Sequence, residues 1–252
     1  MSAPESPDPV RSPSLDPRAE GPAFELKFLV DGALAARLEE GARRLLAPDP
    51  FGDAAGAYHT TTLYLDTRER DVLHRSPGFR TRKYRIRRYG LTTQVYLERK
   101  TRREGRVAKR RSDIPEADLA VLAGLPADGA WTGRWFHERV LRRRLAPAAL
   151  VSYRRTALVG PAGGTPMRLT IDRGISGVPC DQWRLAPAAP PAPARAILDA
   201  SAIVELKFLV SVPRLFKDLM TEYRLSPAAV SKYRLCQQAW QAGAAARGAT
   251  RA

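Results

Sequence analysis

ELKFLV at residues 25–30 returns unchanged at residues 205–210, near the other end of a chain of 252 residues. In an extended strand successive side chains point to opposite faces. Glu25, Lys27 and Leu29 therefore share one side, and Phe24, Leu26, Phe28 and Val30 the other. The second copy sets Glu205 and Lys207 against Val204, Leu206, Phe208 and Val210. A helix can cover the apolar side. The side that carries an acid and a base must see water or line a cavity whose contents satisfy both charges.

The same alternation recurs between the two copies. YHTTTLYLDT (58–67) is rich in β-branched and aromatic residues and predicts a strand, with a short helical stretch to about Arg75. Three basic strands follow: KYRIRRY (83–89), TQVYLERKTR (93–102) and RVAKRRSDI (106–114). The turns Tyr89-Gly90-Leu91 and Glu104-Gly105 predict a meander. LVSYRRTALV (150–159) and MRLTIDRGI (167–175) add two more strands. Parity puts Lys83, Arg85 and Arg87 on one face of their strand. It does the same for Glu98 with Lys100, Lys109 with Arg111, and Tyr153 with Arg155.

Helices are predicted between and after the strands. Asp31 is placed to cap a helix carrying Leu34, Leu38, Ala42 and Leu45, which Pro48 would end. A helical middle section from Pro115 to Leu145 is expected to bury Trp135, Phe136, Val140 and Leu141. Ser211 with Pro213 predicts a helix with Leu215, Phe216, Leu219, Met220 and Tyr223 on one face, and Ser226 with Pro227 predicts the start of the last helix. A Pro/Ala-rich loop spans about 186–195. About eight strands with helical insertions is an α+β pattern dominated by antiparallel sheet. Two arrangements suit the charged faces: outward into solvent, or inward around a polar lumen with an apolar outside clad by helices. The apolar stripes of the helices need a target, which counts for the inward arrangement, a closed barrel with a basic lumen, beside the outward one.

Composition narrows the partner. The net charge of +16 suits nucleic acid, polyphosphate, nucleotides or an anionic membrane. An Arg-rich composition also supplies many simply solvated charges. Lysine is sparse (27, 83, 100, 109, 207, 217, 232), so a retained ammonium where Arg is otherwise used points to a tight oxyanion site. Two cysteines, Cys180 and Cys236, make no disulfide framework and no metal spacing, which suits a reduced cytoplasm. His59, His74 and His137 are scattered and read as structural or surface residues. Residues 1–22, rich in Pro, Ser and acids, are expected to be a disordered tail without a signal peptide, and residues beyond 243 a frayed end. No apolar run is long enough to span a bilayer.

Taken together, the Glu-x-Lys strands at both ends, YRIRRY, YLERKT, the following KRR, SYRR, IDRGI and the terminal SKYR resemble the VTC domain. That is the polyphosphate polymerase module of the triphosphate tunnel metalloenzyme (CYTH-like) group. The resemblance covers about residues 24–240, so residues 23–242 are expected to form one tunnel domain. It implies an α+β fold, an eight-stranded antiparallel β-barrel tunnel with a basic lumen clad by helices, and transfer of the γ-phosphoryl group of ATP onto a growing polyphosphate chain, with Mn2+ or Mg2+. The residues it implies in catalysis are Lys27, Arg85, Arg87, Lys100, Lys207 and Lys232, with Lys109, Arg111, Tyr153, Arg155 and Ser231 binding substrate. Glu205 matches the metal-ligand position, and Glu25 and Glu98 hold strand positions where tunnel enzymes place further carboxylates. Asp172 is read as a partner for a neighbouring Arg.

Two positions depart from the pattern. Tunnel hydrolases begin Glu-x-Glu-x-Lys, and the first of these positions is Ala23, which weakens a hydrolase assignment. Ala229 stands where the fungal polymerases carry a basic residue two before the serine. The SPX and transmembrane parts of the fungal proteins are absent from this sequence, so a stand-alone cytoplasmic version is expected, with any membrane-protein partner encoded elsewhere. The rival readings are a tunnel triphosphatase and a non-catalytic polyanion-binding protein. Nucleic acid is not expected, since the basic strands lack interleaved exposed aromatics and no helix-turn-helix or zinc pattern occurs.

Overall fold

The two hexapeptides lie side by side, and each sets its acid against the other's base. The computed structural model describes residues 22–126, 129–160, 166–185, 194–198 and 200–249. Among them, eight long strands run β1 Ala23–Asp31, β2 Ala57–Asp66, β3 Arg82–Tyr89, β4 Gln94–Arg103, β5 Arg106–Pro115, β6 Ala146–Val159, β7 Met167–Pro179 and β8 Ser201–Phe208. Their order around the sheet is β6-β2-β3-β4-β5-β1-β8-β7, and β7 pairs back onto β6 to close a barrel in which every neighbour is antiparallel. At the seam, β1 and β8 place Glu25 opposite Lys207 and Lys27 opposite Glu205. Cross-strand pairs of opposite charge stabilise such a register.

Helices cover the outside. α1 (Gly32–Arg43) starts at Asp31, whose carboxylate accepts the Leu34 amide at 2.7 Å. It lays Ala35, Leu38 and Ala42 on the seam strands, and Phe216 and Leu219 of α5 (Arg214–Glu222) join them. Phe28, Val204, Leu206 and Phe208 form the barrel's half of this cluster. The short helices α2 (Asp71–His74), α3 (Leu119–Leu122) and α4 (Arg134–Arg142) lie elsewhere, α4 placing Phe136 and Val140 over Tyr84, Ile86 and Leu97. α6 (Lys232–Ala249) closes one end of the barrel: Tyr233 stacks on Tyr64 at 5.5 Å, and with Cys236 it packs on Val151 and Ile203. The Glu104-Gly105 hairpin has both residues at positive φ, 48° and 78°, as a two-residue turn between twisted strands requires.

Several expected boundaries move. The middle section is not helical from Pro115: β5 runs to that residue, a 3-10 turn covers Glu116–Asp118, and α3 and α4 are brief. In α4 the buried pair is Phe136 and Val140, one turn apart, and Leu141 is rotated off that face and exposed at 66%. Trp135 is half-buried, its indole donating to Ser112 Oγ at 2.8 Å with the Arg110 guanidinium over its ring. α1 stops at Arg43, before Leu45, which is exposed. The last helix begins at Lys232, not Ser226, because the Ala228 amide is committed to the Lys27 carbonyl of β1 at 2.7 Å and the Val230 amide turns back onto the Ala228 carbonyl at 3.0 Å. The expected tail 1–22 lies outside the described residues up to residue 21, and so does most of the 186–195 loop.

Candidate functional site

Strand parity converges the charges inside the barrel. A cavity of about 510 Å³ lies inside it. Lys27, Arg85, Arg87, Lys100, Lys109 and Lys207 line it, as do Tyr153, Arg155, Ser231 and Lys232, with the carboxylates of Glu25 and Glu205. Glu98 and Arg111 lie beneath this lining, bonded to each other. The residues expected at a site are thus brought to one place, and its cations outnumber its acids.

The acids divide into three separate ion-pair groups. At the seam, Lys27 Nζ reaches Glu205 Oε2 at 2.8 Å and Glu25 Oε2 at 4.0 Å, and Lys100 Nζ donates to Glu25 Oε2 at 2.6 Å. Under β3, β4 and β5, the fully buried Glu98 accepts from Arg85 Nε at 2.6 Å and from Arg111 Nη2 at 2.7 Å. Between β6 and β7, the buried Asp172 accepts a two-pronged pair from Arg155, Nε at 2.6 Å and Nη2 at 2.8 Å, and a further bond from Lys232 Nζ. Arg87 has a different partner, its Nε donating to Thr62 Oγ1 at 3.1 Å, and the buried Tyr153 hydroxyl finds no partner among the described residues.

Burial and charge oppose each other throughout. Burial alone would raise the Glu98 and Glu205 pKa values. The cations beside them, Arg85 and Arg111 for Glu98 and Lys27 and Lys100 for Glu205, outweigh it and hold both well below the carboxylate range. Burial lowers the Lys100 ammonium to about 8 despite Glu25, and the Lys109 ammonium to about 8 despite Glu98. Asp172 is brought down to about 2, burial being overcome by Arg155 and Lys232. Because its folded value lies below the ordinary 3.8, the stability it adds is complete above that pH and is lost as pH falls towards 2. The loss expected is ~2 kcal/mol. Denaturant melts across this acid range should show it, and Asp172→Asn should flatten that part of the profile.

Among the described residues no group of three or more His, Cys, Asp or Glu side chains forms a metal cage. Glu98 has both oxygens bound by guanidinium groups and does not join Glu25 and Glu205. Glu25 and Glu205, which flank Lys27, are the carboxylates that line the lumen, two hard oxygen donors of the kind a divalent ion takes when other ligands complete its shell.

Further lining residues lie outside the set the resemblance implies, Lys83, Tyr58, Arg168 and Arg234 among them. Lys83 was visible on the inward face of KYRIRRY. Arg168 alternates with Thr170 and Asp172 and was legible by the same parity; its guanidinium pairs with Asp49 and donates to the Tyr58 hydroxyl at 2.9 Å. His59 faces the outside, bonded to Ser152 Oγ at 2.7 Å. None of the described helices is long and apolar enough to cross a membrane.

The family whose model matches this chain is the VTC domain, over residues 23–241. No curated protein matches it in sequence. Among solved structures, a candidate adenylyl cyclase from Hippeastrum, described as having a dominant triphosphatase activity, is 12% identical over 86% of this chain and 96% of its own, with a TM-score of 0.47. A candidate adenylate cyclase from Bacillus halodurans is 12% identical over 83% of this chain and 93% of its own, at 0.49. The PH1819 protein of Pyrococcus horikoshii is 12% identical over 85% and 99%, at 0.44.

Proposed function

Because the chain belongs to the VTC domain family, a branch of the triphosphate tunnel superfamily, we propose that it is a polyphosphate polymerase that moves the γ-phosphoryl group of ATP onto the end of a polyphosphate chain. A terminal phosphate oxygen of the chain attacks the γ-phosphorus, the bond to the β,γ-bridging oxygen breaks, and ADP leaves. Such a transfer asks the protein for in-line positioning and neutralised charge, with little covalent help. Lysines and arginines arrayed along the lumen supply both for two polyanions at once, and the unpartnered Tyr153 hydroxyl is available to a phosphate oxygen. Glu205 and Glu25 would hold Mn2+ or Mg2+, which when bound shares the charge of the β- and γ-oxygens.

The observation that carries transfer over hydrolysis is the state of the acids. Among the described residues the acids that line the lumen are Glu25 and Glu205, the two that would hold the metal, and Glu98 and Asp172 are tied to arginines, which leaves no further carboxylate to activate water. Ala23, in the position of the hydrolases' first glutamate, is fully buried opposite Val107 and offers no ligand. The test is product analysis with ATP and manganese. Long phosphate polymers on a gel are the expected result; free phosphate would make the protein a triphosphatase, and neither product would leave it a binder of polyanions. The proposed setting is cytoplasmic, with ATP and polyphosphate as ligands and any membrane partner a separate protein.

A further inference from the structure

Lys83 is the first inward residue of β3, and its ammonium reaches across the lumen to the start of α6, where it donates to Ser231 Oγ at 2.9 Å. The charges that act on it most strongly are cations: Lys27 from β1, Lys100 from β4, Arg85 from its own strand and Arg234 from α6. The nearest lumen carboxylates are already engaged, Glu205 by Lys27 and Glu25 by Lys100. In register, Lys83 sits directly opposite Lys100, and like charges so placed destabilise a sheet. Lys83 therefore stands half-buried in a cation cluster with a hydroxyl as its hydrogen-bond partner and no counter-ion among the described residues. A group retained at a cost to the fold, facing a cavity, points to a ligand of opposite charge.

We propose that Lys83, together with Ser231, is a further phosphate-binding residue of the lumen and that its counter-ion is the substrate itself. The inference rests on the polyphosphate reading above and adds to it a residue outside the set implied by the family resemblance. Burial, then repulsion from Lys27 and Lys100, pulls the Lys83 pKa well below its ordinary 10.5. A phosphate oxyanion beside it reverses the repulsion and favours the ammonium. Binding thus raises the Lys83 pKa back towards its ordinary value, and a proton is taken up wherever the free site is partly deprotonated.

The experiment is calorimetric titration of the whole protein with inorganic tripolyphosphate, without metal, in buffers of different ionisation heat. Wild type should take up protons on binding. Lys83→Met should lose that increment, bind roughly tenfold or more weakly, and melt no lower than wild type. Lys83→Arg, whose guanidinium stays charged, should recover most of the affinity without the proton increment. Wild-type affinity and proton uptake in Lys83→Met, against tight binding by wild type, overturn the inference and leave the polymerase reading standing. A Lys83→Met protein that binds weakly and also melts well below wild type makes Lys83 structural and overturns the inference too. Failure of wild type to bind either tripolyphosphate or polyphosphate removes both readings.

Discussion

Phe28→Asp is expected to abolish cooperative folding, while Leu29→Asp, one residue away, should melt within about 0.5 kcal/mol of wild type. Phe28 is fully buried beneath α1 and α5 in the cluster with Val204 and Phe208. Losing such a ring costs ~3–5 kcal/mol, and burying a carboxylate in its place adds a desolvation penalty. Their sum approaches the whole stability of a typical domain, ~5–15 kcal/mol. Leu29 is 47% exposed, on the other face of the strand, and has little to lose. Thermal melts by circular dichroism on the two variants check the parity of β1; a Phe28→Asp protein that melts like wild type beside an unfolded Leu29→Asp would mean that the faces are reversed.

Glu205→Gln should lower turnover roughly a hundredfold or more while leaving the barrel folded. The amide still accepts a hydrogen bond from Lys27, and Glu25 remains 4.0 Å from that ammonium. The stability cost expected is ~1–3 kcal/mol. With one acid fewer in a cationic lumen, ATP should bind as well as before or better, so the loss falls on kcat and the metal requirement rises. If Glu205 serves only as the salt-bridge partner of Lys27, the stability loss is of the same size or larger but metal-dependent turnover stays near wild type. Metal titration, ATP affinity and melting temperature on this one variant separate the two roles.

The barrel was legible because its strands announce their faces: acid and base at alternate positions in Glu25-x-Lys27 and Glu205-x-Lys207, and inward arginines at Arg85 and Arg87. Period-two charge survives any detail of packing. What stayed hidden is what depends on distant partners. Glu98 is a nearer case: Arg85 and Arg111 face it directly across β3 and β5, each 13 residues away, but the pairing needs the register of both hairpins, which the alternation of faces does not set. Ser226-Pro227 carries good local signals for a helix start, and a tertiary hydrogen bond from Ala228 to Lys27 overrides them. Leu141 was misplaced for a simpler reason: a two-turn helix buries only a narrow stripe, and Phe136 and Val140 fill it.

The seam between β1 and β8 bears on how the chain reaches this fold. A slip of one residue would turn every Glu and Lys outward and every Phe inward. A slip of two in either direction would set Glu25 against Glu205 or Lys27 against Lys207, so that like charges meet. The repeated hexapeptide is thus an error check as well as a pair of lumen walls, since it accepts one register and penalises its nearest competitors. It also joins segments nearly a whole chain apart, and contacts of such long separation make for slow folding. During synthesis β1 must wait, its edge toward β8 unpaired, until almost all of the chain has left the ribosome. Closing this seam is then the step that completes the barrel, and conditions that screen charge should loosen the register as well as weaken the phosphate binding proposed for the lumen.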